Sequence, residues 1–237
     1  MSCRTCSHPL TLSLAPDSSS ESSAGPSTTT TTTETVPDDL LLPCTCHFHW
    51  QCLLDHSPTI ALSLRCPACD THLPTPSDPP TIPATYTSEG GPSALDLLPI
   101  LTEEAFLASN PEARPARALH TLAAEGDVEG MVDLLGDVEE DVVRWRDPLN
   151  GGRTALHVAV EAGREEVVWL LLWVGSGVEE GRFPEVVVQL AGEMGVGRGE
   201  GVGEDVRGLR DGAGRVAGEV ARGMGGAWGG LAEVLTL

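Results

Sequence analysis

Every cysteine of this chain lies within its first 69 residues, in closely spaced pairs with histidine among them. The spacing reads Cys3-x2-Cys6, then Cys44-x-Cys46-x2-His49-x2-Cys52, then Cys66-Pro67-Ala68-Cys69. A two-residue gap lets two ligands reach one tetrahedral ion from a tight knuckle, which is the geometry zinc takes from thiolate and imidazole donors. Seven cysteines plus His49 fill two four-coordinate sites with nothing left over. A secreted disulfide framework normally uses an even set spread through the fold, and this set is odd and confined to one segment. Thiols mixed with histidine in this way suggest metal in a reducing compartment, so an intracellular protein, cytoplasmic or nuclear, is expected.

Charge narrows the partners. The formal net charge is −21, and all fourteen basic residues are arginine. Nucleic acid binding needs clustered cations to neutralise phosphates, so a nucleic-acid partner is not expected. The longest apolar run, Val167 to Val174, falls far short of the roughly 20 residues of a membrane-spanning helix. Proteins are the remaining class of partner.

Three composition regimes divide the chain. Residues 1–72 hold every cysteine, interrupted over residues 17–37 by a Ser/Thr tract that contains Thr28 to Thr33 and is expected to be a disordered insertion. Residues 73–93, with Pro74, Pro76, Pro79, Pro80 and Gly90-Gly91-Pro92, read as an extended Pro/Thr-rich linker. Residues 94–237 are helical in pattern. Within them Ala118-Leu119-His120 aligns with Ala155-Leu156-His157, and Gly126 then falls on Gly163. Asp211 to Arg215 resembles the approach Asn150 to Arg153, and Gly225 takes the place of Gly163. Each unit reads as a short helix, a glycine turn and a second apolar helix, and such units bury their apolar faces only by stacking. Residues 95–108 read as a helix covering the first unit. Residues 175–207 read as a Gly-rich insertion with one apolar segment, Pro184 to Leu190, whose type stays open.

The block Cys44-Thr45-Cys46-His47-Phe48-His49-Trp50-Gln51-Cys52, with the closing Cys66-Pro67-x-Cys69, resembles the RING-type zinc finger. The resemblance covers residues 1–72 and implies an interleaved cross-brace. One zinc would take Cys3, Cys6, His49 and Cys52, and the other Cys44, Cys46, Cys66 and Cys69. His47 competes with Cys46, but it would leave only one residue before His49, poor geometry for ligands of different ions. His8, His56 and His72 are expected at the surface or in minor packing. RING fingers of ubiquitin ligases supply no acid, base or nucleophile; they dock a ubiquitin-charged E2 and act by positioning its thioester. No catalytic residue is therefore expected. The E2-docking positions implied are Thr5, His56 and Pro67. Thr5 stands where the family has an aliphatic residue, His56 about where tryptophan is common, and Asp70 where a basic residue often contacts ubiquitin.

The stretch Gly152 to Leu172, with Thr154-Ala155-Leu156-His157 near its start, resembles an ankyrin repeat. The array would run from about 112 to 235, its last unit having lost Leu-His to Gly218-Glu219, a departure expected of a terminal capping unit. Trp145, Trp169 and Trp173 are candidate anchors for a partner, although inter-repeat packing is the expected fate of Trp169. The expected fold is a small zinc-stabilised cross-brace domain joined by a linker to an all-α ankyrin-repeat solenoid. With it come two zinc ions, an E2 on the finger and a protein substrate on the repeats. The other reading is a non-catalytic scaffold of the same two modules.

Overall fold

The computed structural model describes residues 1–14, 35–138, 141–199, 203–225 and 228–236. The chain separates into two compact units, Met1–Asn110 and Pro111–Leu237. The boundary falls at Asn110-Pro111, where a proline disfavours helical backbone in the residue before it.

The first unit is a mixed α/β body. Strand β1 (Thr11–Ser13) pairs antiparallel with β2 (Thr35–Pro37). Strands β3 (Asp39–Leu41), β4 (His47–Phe48), β5 (Pro83–Ser88) and β6 (Gly91–Asp96) form an antiparallel sheet in the order β4-β3-β5-β6. Three helices complete it: α1 (Trp50–Leu54), α2 (Ser57–Ser63) and α3 (Leu97–Ser109). Its core includes the fully buried Leu40, Phe48, Leu53, Ile60, Ile82, Leu97 and Leu101, with several of the cysteines at its margin.

Two expectations are corrected here. Residues 73–93 are not a linker, because Pro83–Ser88 pairs with β3 on one side and with β6 on the other. Thr85, Tyr86 and Thr87 favour extended backbone, Gly91 takes φ +93° at the hairpin turn, and Pro83 sits at a strand's first residue, where its missing N–H is tolerated. Helix α3 places Leu97 and Leu101 in the core of the first unit, so it serves the cysteine-rich body rather than the first repeat. Its N-cap Asp96 accepts from Leu98 N–H at 3.1 Å and from Ile82 N–H at 2.8 Å, tying helix to hairpin. Most of the Ser/Thr tract lies outside the described residues, but its end, Thr35–Pro37, is the strand β2.

The second unit is helical: α4 (Arg114–Glu125), α5 (Val128–Asp137), α6 (Ala155–Glu161), α7 (Glu165–Gly175), α8 (Glu185–Glu193), α9 (Ala217–Met224) and α10 (Gly229–Val234). Helices α4/α5, α6/α7 and α9/α10 form three hairpins, and α4, α6 and α9 pack in a row. The turns use Gly126 at φ +85°, Gly163 at φ +73° and Gly225 at φ +79°, a backbone region that side chains disfavour. Matching short turns precede α6 and α9, closed by the bridges Asp147↔Arg153 and Arg210↔Val216.

The apolar segment of the insertion over residues 175–207 is the helix α8, set between the short helical turns Glu180–Arg182 and Val206–Gly208. Phe183 packs on Trp169 and Trp173 with ring centroids 5.6 and 5.2 Å apart, and Arg198 lies over Trp173 at 5.3 Å. Trp173 donates its indole N–H to the Val196 carbonyl at 3.0 Å. Trp169 and Trp173 are thus core residues, as is the buried Phe183. Among the described residues no helix is long and apolar enough to cross a membrane.

Candidate metal centre

Three tight turns present the paired cysteines. In the first, Ser7 at φ +64° closes back with its N–H on the Cys3 carbonyl at 2.9 Å, and Cys3 N–H donates to the His8 carbonyl at 2.9 Å. The last repeats this geometry: Asp70 at φ +58° donates to the Cys66 carbonyl at 2.9 Å, and Cys66 N–H donates to Thr71 at 2.9 Å. Asp is among the few side chains that tolerate this left-handed backbone. Between β3 and β4, Thr45 at φ +65° turns the chain so that Leu42 N–H reaches the Cys46 carbonyl at 3.0 Å. His49 is the N-cap of α1, and Cys52 lies in that helix.

These elements bring the eight residues into two groups, Cys3, Cys6, His49 and Cys52, and Cys44, Cys46, Cys66 and Cys69. Within each group the donor atoms all lie within 4.8 Å of one another. The pairs therefore alternate along the chain, first with third and second with fourth. Tetrahedral zinc, with Zn–S near 2.3 Å and Zn–N near 2.0 Å, sets its ligand atoms roughly 3.5–3.8 Å apart. His49 Nδ1 is 3.3 Å from Cys6 Sγ and 3.7 Å from Cys52 Sγ, so the donor set fits such an ion.

The surroundings of His49 prepare it as a ligand. Its Nε2–H donates to the Pro9 carbonyl at 2.8 Å, which fixes the tautomer that leaves Nδ1 facing the thiols. Burial alone would lower its pKa, but the Pro9 carbonyl and Cys3 outweigh it and raise it, so without metal the pocket favours a proton where a cation would bind. The thiols show the same need for positive charge. Burial pushes Cys46 and Cys52 up to about 12, reinforced by neighbouring sulfurs, and burial raises Cys44 as well. Burial also opposes ionisation of Cys3, yet the N–H groups of Cys6, His49 and Thr5 bring it down to about 6. Cys69 is brought to about 6 by the Thr71 hydroxyl, 3.2 Å away, and the Thr71 N–H. Such clusters cannot ionise fully without a cation, and a bound dication removes that barrier.

His47 lies in neither group; its Nδ1 pairs with Asp39 Oδ1 at 2.7 Å across β3 and β4. Thr5 and Pro67 are exposed and His56 is half-buried just before α2. Sequence reasoning missed Asp38 and Tyr86. Asp38 is buried, and its Oδ1 accepts from Trp50 N–H and from the Tyr86 hydroxyl, both at 3.1 Å. Tyr86 also packs on Trp50, ring centroids 5.1 Å apart, in the helix α1 that also carries Cys52 of the first cluster. The signal available was the chain's single tyrosine, in an alternating Thr-Tyr-Thr stretch.

No curated protein and no solved structure matches this chain. Residues 88–180 match the family model described as ankyrin repeats, three copies, a span that begins in the last strands of the first unit and ends just after α7. The chain therefore carries ankyrin repeats, a fold that generally serves protein–protein interaction, preceded in sequence by a cysteine-rich unit whose two clusters could each hold a zinc ion.

Proposed function

We propose that the cysteine-rich unit is a RING-type zinc finger and that the chain is an E3 ubiquitin ligase. The finger docks a ubiquitin-charged E2 and the repeats hold the protein to be modified. The observation that carries this reading is the alternation of the ligand pairs between two clusters, which is the cross-brace arrangement. Zinc, when bound, supplies the crosslinks that hold the two clusters' loops together, and metal binding of this kind is folding energy. The protein's own contribution is positional: exposed Thr5 and Pro67, with half-buried His56, border the loops an E2 would meet. Acceleration then comes from holding the thioester in a reactive arrangement.

A non-catalytic zinc-finger scaffold is the second reading. Asp70 favours it, because a carboxylate stands where a ubiquitin-contacting cation is frequent, and Asp70 holds the nearby Arg65 in an ion pair at 3.2 Å. The test is discharge of a panel of ubiquitin-charged E2 enzymes onto free lysine in the presence of zinc-loaded protein. The ligase reading expects faster discharge with at least one E2, lost on Pro67→Ala. Discharge at the uncatalysed rate with every E2 leaves the scaffold.

A further inference from the structure

Helix α8 lies outside the repeat pattern, and with α7 it encloses an open apolar groove of about 680 Å³ within the second unit. That volume lies in the range of ligand-sized clefts. The groove is lined by Trp169, Leu170 and Trp173 of α7 on one side. On the other side stand Val186 and Leu190 of α8, one helical turn apart, with Met194 a further turn on. Val186 is 59 % exposed and Leu190 49 % exposed, so an apolar stripe stands open to water.

The charge at the edge is one-sided. Glu125, Glu165 and Glu166 line the groove and are exposed, and none has a salt-bridge partner among the described residues. Among the described residues Arg164 is the one cation in the lining, and its Nε–H is committed to the Ala124 carbonyl at 2.9 Å. A second copy of the chain would bring the same carboxylates and a net charge of −21, so like charges oppose that occupant. An apolar floor edged by carboxylates fits a segment with apolar residues on one helical face and Arg or Lys beside them.

We propose that the α7/α8 groove docks a basic amphipathic segment of a partner protein. Its apolar residues seat between Trp169, Trp173 and Leu190, and its cations meet Glu125, Glu165 and Glu166. This goes beyond the ligase reading and does not depend on it, because it requires no E2. Its test reads peptide binding rather than ubiquitin transfer, so either can fail alone.

The whole 237-residue chain is panned against random peptides of about 16 residues, long enough for four helical turns. Enriched peptides are expected to carry Arg or Lys interleaved with large apolar residues at helical spacing. The double variant Val186→Asp/Leu190→Asp, which alters two half-exposed side chains, should bind them at least about tenfold more weakly, as burying unpaired charge in a contact does. Glu165→Gln/Glu166→Gln, which leaves the apolar surface intact, should weaken binding and reduce its salt sensitivity. The proposal is overturned by an absence of enrichment, by acidic or uncharged winners, or by equal binding to both variants. Self-association of the chain that the Asp variant abolishes overturns it too, since the occupant would then be a second copy.

Discussion

The hydroxyl of Tyr86, on β5, donates to the buried carboxylate of Asp38 at 3.1 Å, which also accepts from Trp50 N–H at the start of helix α1, the helix that carries Cys52 of the first cluster. A residue of the Pro/Thr-rich stretch thus helps to fix the cluster that holds His49 and Cys52. Tyr86→Phe should cost about 1 kcal/mol, one ordinary hydrogen bond. Asp38→Ala should cost about 3 kcal/mol, because two donors lose their acceptor. Urea denaturation followed by a thiol-reactive dye reports this unit alone, since all seven cysteines lie in it. Equal midpoints for wild type and Asp38→Ala would show that the contact contributes nothing.

Zinc loading should release protons in a pH-dependent number. Cys44, Cys46 and Cys52 are raised, the last two to about 12, so their protons must leave when metal binds at neutral pH. Cys3 and Cys69, at about 6, are already largely ionised at pH 7.5 and protonated at pH 5. Release per chain should therefore rise by about two protons from these thiols between pH 7.5 and 5, with His49, whose pKa is raised, adding its own as it becomes protonated, and affinity should fall increasingly steeply as pH drops. Titration of zinc into weakly buffered protein with an indicator dye measures both. A constant release across that range contradicts the assignment of these two thiols.

Cys46 and His47 are neighbours in sequence with opposite expected behaviour. Cys46 is buried within the second cluster, whereas His47 faces Asp39 across the sheet. Metal analysis should find two zinc ions per chain in wild type and His47→Ala, and about one in Cys46→Ala, whose cluster keeps three donors. His47→Ala should lose only one partly buried hydrogen bond, to Asp39, about 1 kcal/mol. Loss of zinc from His47→Ala with retention in Cys46→Ala would reverse the ligand choice.

The parts legible in the sequence were those with a fixed local period. Paired cysteines at knuckle spacing and the repeated Ala-Leu-His with its turn glycine each depend on neighbours a few residues away. The β5/β6 hairpin was hidden because its prolines and glycines, Pro83, Gly90, Gly91 and Pro92, dominate the local pattern. What makes it a sheet is non-local: Leu40 pairs with Tyr86, and Ile82, Leu97 and Leu101 join a core with Phe48. The carboxylate of Asp38 was invisible for the same reason, as its partners are far away in the chain. The helix α8 lacks a repeat counterpart, and its place is set by a non-local contact just before it, Phe183 packed on Trp169 and Trp173.

The aligned histidines of the first two repeats should respond oppositely to the same substitution. His157 is bonded at both nitrogens: Nδ1 accepts from the Thr154 hydroxyl at 2.8 Å, and Nε2–H donates to the Arg215 carbonyl at 3.0 Å, linking two repeats. At His120 the threonine is replaced by Arg117, which pairs with Asp147 instead. Neither ring nitrogen of His120 then makes a hydrogen bond of ordinary geometry among the described residues: Nδ1 lies 3.9 Å from Asp147 Oδ2, the Trp145 backbone is a weak neighbour, and the ring meets Trp145 edge-on at 5.2 Å between centroids. His157→Leu should cost about 3 kcal/mol at pH 7.5, since it strands buried polar partners, whereas His120→Leu should fall within about 1 kcal/mol of wild type. Burial holds His120 down at about 4, below its ordinary 6.5, despite the opposing pull of Asp147. A histidine kept neutral in the fold but free to protonate when unfolded stabilises fully above pH 6.5. That stability is lost as pH falls toward 4, on the order of 3 kcal/mol over the window. His157 is lowered by burial too and adds in the same direction. Urea melts of the helical unit from pH 7.5 to 4, followed by circular dichroism, should show this decline in wild type and a shallower one in His120→Leu. A His120→Leu profile that parallels wild type would mean that His120 titrates alike in the folded and unfolded chain, which would contradict its burial-driven depression.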